Sequence, residues 1–127
     1  MSTVIIEETN VPSTFQSRLP VLDVNMNSKD MERMVSNAER AAKFLKAIGH
    51  EGRLMILCHL ASGEKSVTEL ESLLSARRAS VSQQLSRLRL EGLVTPRRDG
   101  KAIYYSLTDD RPKQIMEIVY DLFCKDD

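Results

Sequence analysis

Apolar residues recur at three- and four-residue steps from Met31 through Met34, Val35, Ala38, Ala41, Ala42 and Leu45 to Ile48, and this period predicts a long helix over about 29–48. Ser28 stands where a cap is needed and Gly49 where the helix must stop. Glu51 to Ala61 follows as a short helix that is apolar nearly all round, a pattern that predicts full burial. In "SGEKSVTELESLL", Gly63 breaks the chain and Ser66 can cap. Glu69 completes the capping-box spacing ahead of Leu70, Leu73 and Leu74, so a third short helix is expected. Ser75 to Arg78 make a turn into a fourth helix over about Ala79–Glu91, ended by Gly92. The period then changes to strict alternation. Ile103, Tyr105 and Leu107 in "LVTPRRDGKAIYYSL" predict the second strand of a hairpin, with Asp99-Gly100 as its two-residue turn and Pro96 confining the first strand to an edge. A last helix, from Arg111 or Pro112 to Phe123, carries Ile115, Ile118, Val119, Leu122 and Phe123 on one side.

Residues 1–28 hold two prolines and no sustained period, which predicts a disordered N-terminal arm ahead of one folded domain over 29–124, with 125–127 as a tail. The order of elements is helix, helix, helix, helix, hairpin, helix. The expected fold class is therefore mainly α with a small β-hairpin wing, a winged helix-turn-helix. In so small a domain the first and last helices have little other core to cover, so their apolar faces point to a homodimer.

The fourth helix has two unlike sides. At 100° per residue Val81, Leu85 and Leu88 fall together as a buried face, and the opposite side holds Ala79, Ser80, Gln83, Ser86 and Arg87. Amides, hydroxyls and a guanidinium without a carboxylate suit a DNA major groove, although the same residues also suit a solvated face. Ser80, Ser82, Gln83, Gln84 and Arg87 are the candidates for groove or backbone contact. Arg97, Arg98 and Lys101 flank the hairpin tip, where cations reach phosphates or a minor groove.

Charge supports the same partner only locally. The 18 basic and 18 acidic residues cancel over the chain, yet seven basic residues stand against two acidic ones between Arg77 and Lys101. No apolar run approaches the roughly 18 residues that cross a membrane, the N-terminus lacks the pattern of an export signal, and two cysteines make no disulfide framework. A cytoplasmic protein without a membrane partner is expected.

"SARRASVSQQLSRLRLEGLVTPRRDGKAIYYSL" closely resembles the winged-helix core of ArsR-family repressors, with a serine-containing recognition helix, a Gly-Leu-Val exit and a basic wing ending in Tyr-Tyr-x-Leu. The resemblance covers about residues 30–124 and implies a homodimer built on the first and last helices, bound to double-stranded operator DNA with half-sites about one helical turn apart. Arg77 and Arg78 depart from it, standing at the start of the recognition helix where the family often has Ser-Gln.

Metal response, common in the family, lacks its ligands here. Ser66 and Thr68 occupy the two positions of the family's Cys-x-Cys, and hydroxyls are poor ligands for soft metals. The last helix has no histidine, and His50 and His59 bracket the second helix without sharing a face. No cofactor or metal site is expected. The two cysteines remain. Cys58, four residues after Leu54, reads as a core residue by type, whereas Cys124 ends the last helix, where no small apolar residue is required.

The sulfide-responsive subgroup of the family carries one cysteine on the helix before the helix-turn-helix and another at the end of the last helix. Cys58 and Cys124 match both positions. That resemblance implies a redox-sensing pair that persulfide donors join through a polysulfide bridge, with loss of DNA affinity and release of repression. Reactive sulfur species are then the inducer. Alternatives are a repressor answering peroxide or general thiol oxidants by a plain disulfide, a metal-sensing repressor, and a thiol oxidoreductase. The last has neither Cys-x-x-Cys nor a strand-helix-strand frame to present one, so no enzymatic activity is expected.

Overall fold

The structure is a computed structural model that describes residues 25–75 and 78–125 of the 127, with backbone alone at 78 and 79. The expected arm up to residue 24 and the Arg77 side of the recognition-helix start lie outside the described residues. By its contacts the chain divides into Met1–Met34 and Val35–Asp127.

In the first unit the backbone enters α1 (Ser28–Ile48) under a cap one residue earlier than expected. The Asn27 side-chain oxygen accepts the Asp30 N–H at 2.8 Å, so Asn27 caps and Ser28 is already helical.

In the second unit, the rest of α1 leads to α2 (Glu51–Leu60), which is capped by His50. Its ring Nδ1 accepts from the N–H of Gly52 at 3.1 Å and of Arg53 at 3.4 Å. Next come β1 (Lys65–Ser66) and α3 (Val67–Leu74). The expected capping box is complete: Ser66 Oγ accepts from Glu69 N at 3.0 Å, and Glu69 Oε1 accepts from Ser66 N at 2.8 Å.

The recognition helix α4 runs Arg78–Leu90, one residue earlier than expected at each end. Gly92 stops it with φ +77°, its N–H donating to Arg89 O at 2.9 Å while Leu93 N–H reaches back to Leu88 O at 2.9 Å. This is the Schellman pattern. Its usual apolar partners, here Leu88 and Leu93, are both buried, which fixes the direction in which the chain leaves for the wing.

The wing consists of β2 (Val94–Asp99) and β3 (Ala102–Leu107), and α5 (Arg111–Phe123) closes the fold with Pro112 in its first turn. The sheet has three antiparallel strands in the order β1-β3-β2, one more than expected. Lys65 and Ser66 pair with Tyr105 and Tyr104, and a two-residue strand leaves no periodic trace in sequence. Pro96 does lie on an edge strand. Asp99 pairs with Ala102, so the turn is Gly100-Lys101 rather than Asp99-Gly100. Gly100 takes φ +63° and Lys101 does not share the positive sign, the arrangement of a type II′ turn, which wants glycine first.

The core is formed by Ala47, Ile48, Ile56, Leu57, Leu60, Leu70, Val81, Leu85, Leu88 and their neighbours, with Ile103, Tyr105 and Leu107 of β3 packed against it as their alternation predicts. The second helix is not fully buried. Met55 is 45% exposed and Cys58 is exposed, because one side of α2 is left open among the described residues.

Removing the Ser66 hydroxyl breaks the side-chain half of the capping box, the bond from Glu69 N–H, and leaves the bond from Ser66 N–H to the Glu69 carboxylate in place. Ser66→Ala is expected to cost about 1 kcal/mol of stability, read as a lower urea midpoint at unchanged m-value. An unshifted midpoint would show that the cap adds nothing.

Candidate DNA-binding surface and thiol pair

Val81, Leu85 and Leu88 of α4 are buried, as the angular pattern predicts. Their burial turns Ser80, Ser82, Gln83 and Ser86 outward, all exposed, with Gln84 and Arg87 half-buried at the margins. The candidate contacts divide between two clefts. Ser82 lines one of about 360 Å³ with Lys101 of the wing turn and Ser66 and Thr68 at the start of α3. Ser80 and Gln84 line another of about 770 Å³, beside the first turn of α2. Gln83 stands on the exposed surface of α4.

The wing cations are not equivalent. Arg97 is held by Glu64 through two parallel bonds, Nε to Oε2 at 2.9 Å and Nη2 to Oε1 at 2.8 Å, and its guanidinium lies over the Tyr104 ring at 4.7 Å. Glu64 immediately precedes β1, and Arg97 and Tyr104 are cross-strand partners, so this cluster pins the wing to the loop before α3. The hydrogen bond from Arg97 holds the Glu64 carboxyl below its ordinary range and raises Arg97 in turn. Glu64 therefore keeps its charge to lower pH than an unpaired glutamate, and the pair is lost as pH falls through the lowered value. Arg98 and Lys101 make no ion pair among the described residues. On α4 itself, Arg87 lies 3.5 Å from Glu91, one turn later.

Sequence gave no sign of these partners. Glu64 is 33 residues from Arg97, and Gln84, a candidate base contact, accepts at 3.1 Å from Arg53, 31 residues away.

Both cysteines are free and exposed. For Cys58 this corrects the expectation of a core residue. Ile56, Leu57 and Leu60 form the buried face of α2, and Cys58 lies off it. Cys124 caps the C-terminus of α5, its N–H donating to Tyr120 O at 2.9 Å. The helices carrying them, α2 and α5, pack against each other. The histidines do other work: His50 caps α2, and His59 is half-buried. Among the described residues no group of three or more His, Cys, Asp or Glu side chains is placed to hold a metal ion, and no helix is long and apolar enough to cross a membrane.

A one-faced recognition helix after a short capped helix, followed by a pinned basic hairpin, defines a winged helix-turn-helix DNA-binding protein. The family profile described as "Bacterial regulatory protein, arsR family" matches residues 50–95. The chain is 44% identical over 91 residues to the biofilm growth-associated repressor of Agrobacterium fabrum, covering 72% of this chain and 78% of that one. Its fold is similar to reduced HlyU from Vibrio cholerae (TM-score 0.70, 37% identity, 74% of this chain and 99% of that chain). It is likewise similar to the transcriptional repressor BigR from Xylella fastidiosa (TM-score 0.68, 40% identity, 78% of this chain and 98% of that chain). The chain belongs to the ArsR family of transcriptional regulators, which are DNA-binding proteins rather than enzymes.

Removing the Glu64 carboxylate leaves Arg97 only the looser approach of Asp99 at 3.8 Å and so releases its guanidinium toward phosphate. Glu64→Ala is expected to tighten duplex binding and to steepen the slope of log K against log[salt] toward one further phosphate contact, about −0.9. Salt titration of anisotropy checks it. Tighter binding at an unchanged slope would mean that Arg97 only shapes the wing.

Proposed function

We propose that the protein is a homodimeric repressor that binds a two-fold operator and releases it when Cys58 and Cys124 are joined through sulfur. The observation that carries this reading is the thiol pair: two exposed cysteines on α2 and at the end of α5, helices that pack together.

The dimer follows from what the single chain leaves uncovered. Val35 and Leu45 on α1 are 52% and 54% exposed, and Ile118, Leu122 and Phe123 on α5 are 52%, 71% and 75% exposed. Joining two copies through α1 and α5 buries these apolar stripes and sets two α4 helices one duplex turn apart, about 34 Å. Ser80, Ser82, Gln83 and Arg87 then face the groove or its backbone, and Arg98 and Lys101, with Arg97 where Glu64 lets it go, reach the flanking phosphates.

The inducer is a persulfide donor. Each thiolate takes the terminal sulfur of one donor, which leaves as a thiol. One protein persulfide then attacks the inner sulfur of the other and displaces hydrogen sulfide, leaving a bridge of three sulfurs with no outside oxidant. Peroxide can give only a plain disulfide, which requires the α-carbons within about 7 Å, whereas inserted sulfur tolerates a wider gap. Ser66 caps α3, which gives a structural use to a position where metal-responsive relatives are expected to have a ligand.

The test uses a duplex selected from a random pool by the reduced protein. Reduced protein is treated separately with a persulfide donor, peroxide and glutathione disulfide, and intact mass and duplex affinity are measured. A Cys58–Cys124 link carrying added sulfur, with affinity lowered at least tenfold, is expected only from the persulfide donor, and Cys58→Ser and Cys124→Ser proteins should keep full affinity under it. A serine variant that still responds normally sinks the thiol switch; release by peroxide through a plain disulfide supports the oxidant-sensing reading instead.

A further inference from the structure

Arg53, in the first turn of α2, touches two other helices with one guanidinium. Nε donates to the Ala47 carbonyl and Nη2 to the Lys46 carbonyl at 3.4 Å, both in the last turn of α1, where carbonyls lack helical partners and the dipole favours a cation. Nη1 donates to Gln84 Oε1 on α4 at 3.1 Å. The Gln84 side chain reaches back over this turn of α2: a Cβ at Gly52 would meet Gln84 Cγ at 3.6 Å, an ordinary contact distance, and the His50 ring at 3.2 Å. Gln84 is therefore packed over Gly52 and hydrogen-bonded by its neighbour. Burial works against the Arg53 charge first, and further along α4 Arg87 opposes it as well while Glu91 supports it.

We infer that Arg53 is a positioning residue for DNA binding: it fixes the seating of α4 against α2 by holding Gln84, without touching the duplex itself. Gln84 is then a strut rather than a reader of bases, and the outward residues Ser80 and Gln83 depend on it for their angle. The placement has a second consequence, which rests on the proposed thiol switch. Arg53 and Cys58 share the short helix α2, so a movement of α2 imposed at Cys58 reaches α4 through this side chain.

The experiment compares wild type with Arg53→Met, Gln84→Met, the double variant and Arg53→Lys, all in reducing buffer, on the duplex selected by the reduced wild type. Arg53→Met is expected to weaken binding tenfold or more with no change in salt slope, Gln84→Met to weaken it comparably, and the double variant to be no weaker than the worse single. Arg53→Lys should recover little, since a lysine cannot span all three acceptors. The inference is overturned if folded Arg53→Met binds within about twofold of wild type. It is also overturned if the slope falls by about 0.9, the mark of a lost phosphate contact, or if the two losses multiply. Should Arg53→Met fail to fold by circular dichroism, Gln84→Met decides: affinity within about twofold of wild type overturns the inference, and a loss at unchanged slope supports it.

A final arm treats wild type and Arg53→Met with the persulfide donor. Wild type that bridges and releases, beside a variant that bridges by mass but loses no further affinity, supports the relay through Arg53, and equal release by both overturns it. If wild type itself neither bridges nor releases, the thiol switch fails while the reducing-buffer results still decide the positioning role.

Discussion

The seating of α4 on α2 and α3 through Val81, Leu85 and Leu88 is the constraint on which the rest depends. Alone, "RASVSQQLSRLRL" is a poor helix. Its three serines compete for backbone hydrogen bonds, and its 13 residues are near the length at which isolated helices are marginal. Burying each of the three apolar side chains contributes about 1.5–3 kcal/mol, enough to hold the helix and choose its rotation. Once that rotation is set, every polar residue on α4 has its direction. The hydroxyls and the Gln83 amide face outward because three residues face inward, and the Schellman turn at Gly92 then aims the wing from the same anchor.

Charge is organised as a set of internal competitions around that platform. Glu64 holds Arg97, Glu91 sits beside Arg87 and within the field of Arg53, and the Asp109 carboxylate accepts from both the backbone and the guanidinium of Arg111 near the start of α5. A chain of zero net charge can still present a positive surface, because the acids are spent on particular cations and leave Arg98 and Lys101 without ion pairs among the described residues. On the proposed reading this arrangement also limits affinity. Duplex binding grows with the number of phosphates neutralised, so a protein that keeps some of its arginines engaged within the fold binds reversibly at physiological salt.

Much of this was legible in the chain because it is local. The angular separation on α4, the box of Ser66 and Glu69, the alternation of Ile103, Tyr105 and Leu107, and the edge position of Pro96 each lie within a few residues, and all four are present. Errors of one residue, at Asn27 against Ser28 and at Gly100-Lys101 against Asp99-Gly100, came where two neighbours were both plausible by type. Pairings made across the fold were invisible: β1 with β3, Glu64 with Arg97, Arg53 with Gln84. The reading of α2 failed for a different reason. A helix apolar on all sides has no period to say which side a single chain covers, so Met55 and Cys58 read as core and are exposed.

That failure bears on how a thiol signal would reach DNA. An apolar side left open within one chain is what a helix near a subunit interface shows, and α5 leaves its last two turns open in the same way, ending at Cys124. On the proposed reading one element, α5, serves as both dimer contact and thiol carrier, and the other, α2, carries the second thiol and packs on α4. A link between them changes the relation of interface to recognition helix within each protomer, and two-fold symmetry applies the change twice, in opposite senses, to helices that must match half-sites at fixed spacing. Small displacements then suffice, because the duplex does not follow them and phosphate contacts are lost in pairs.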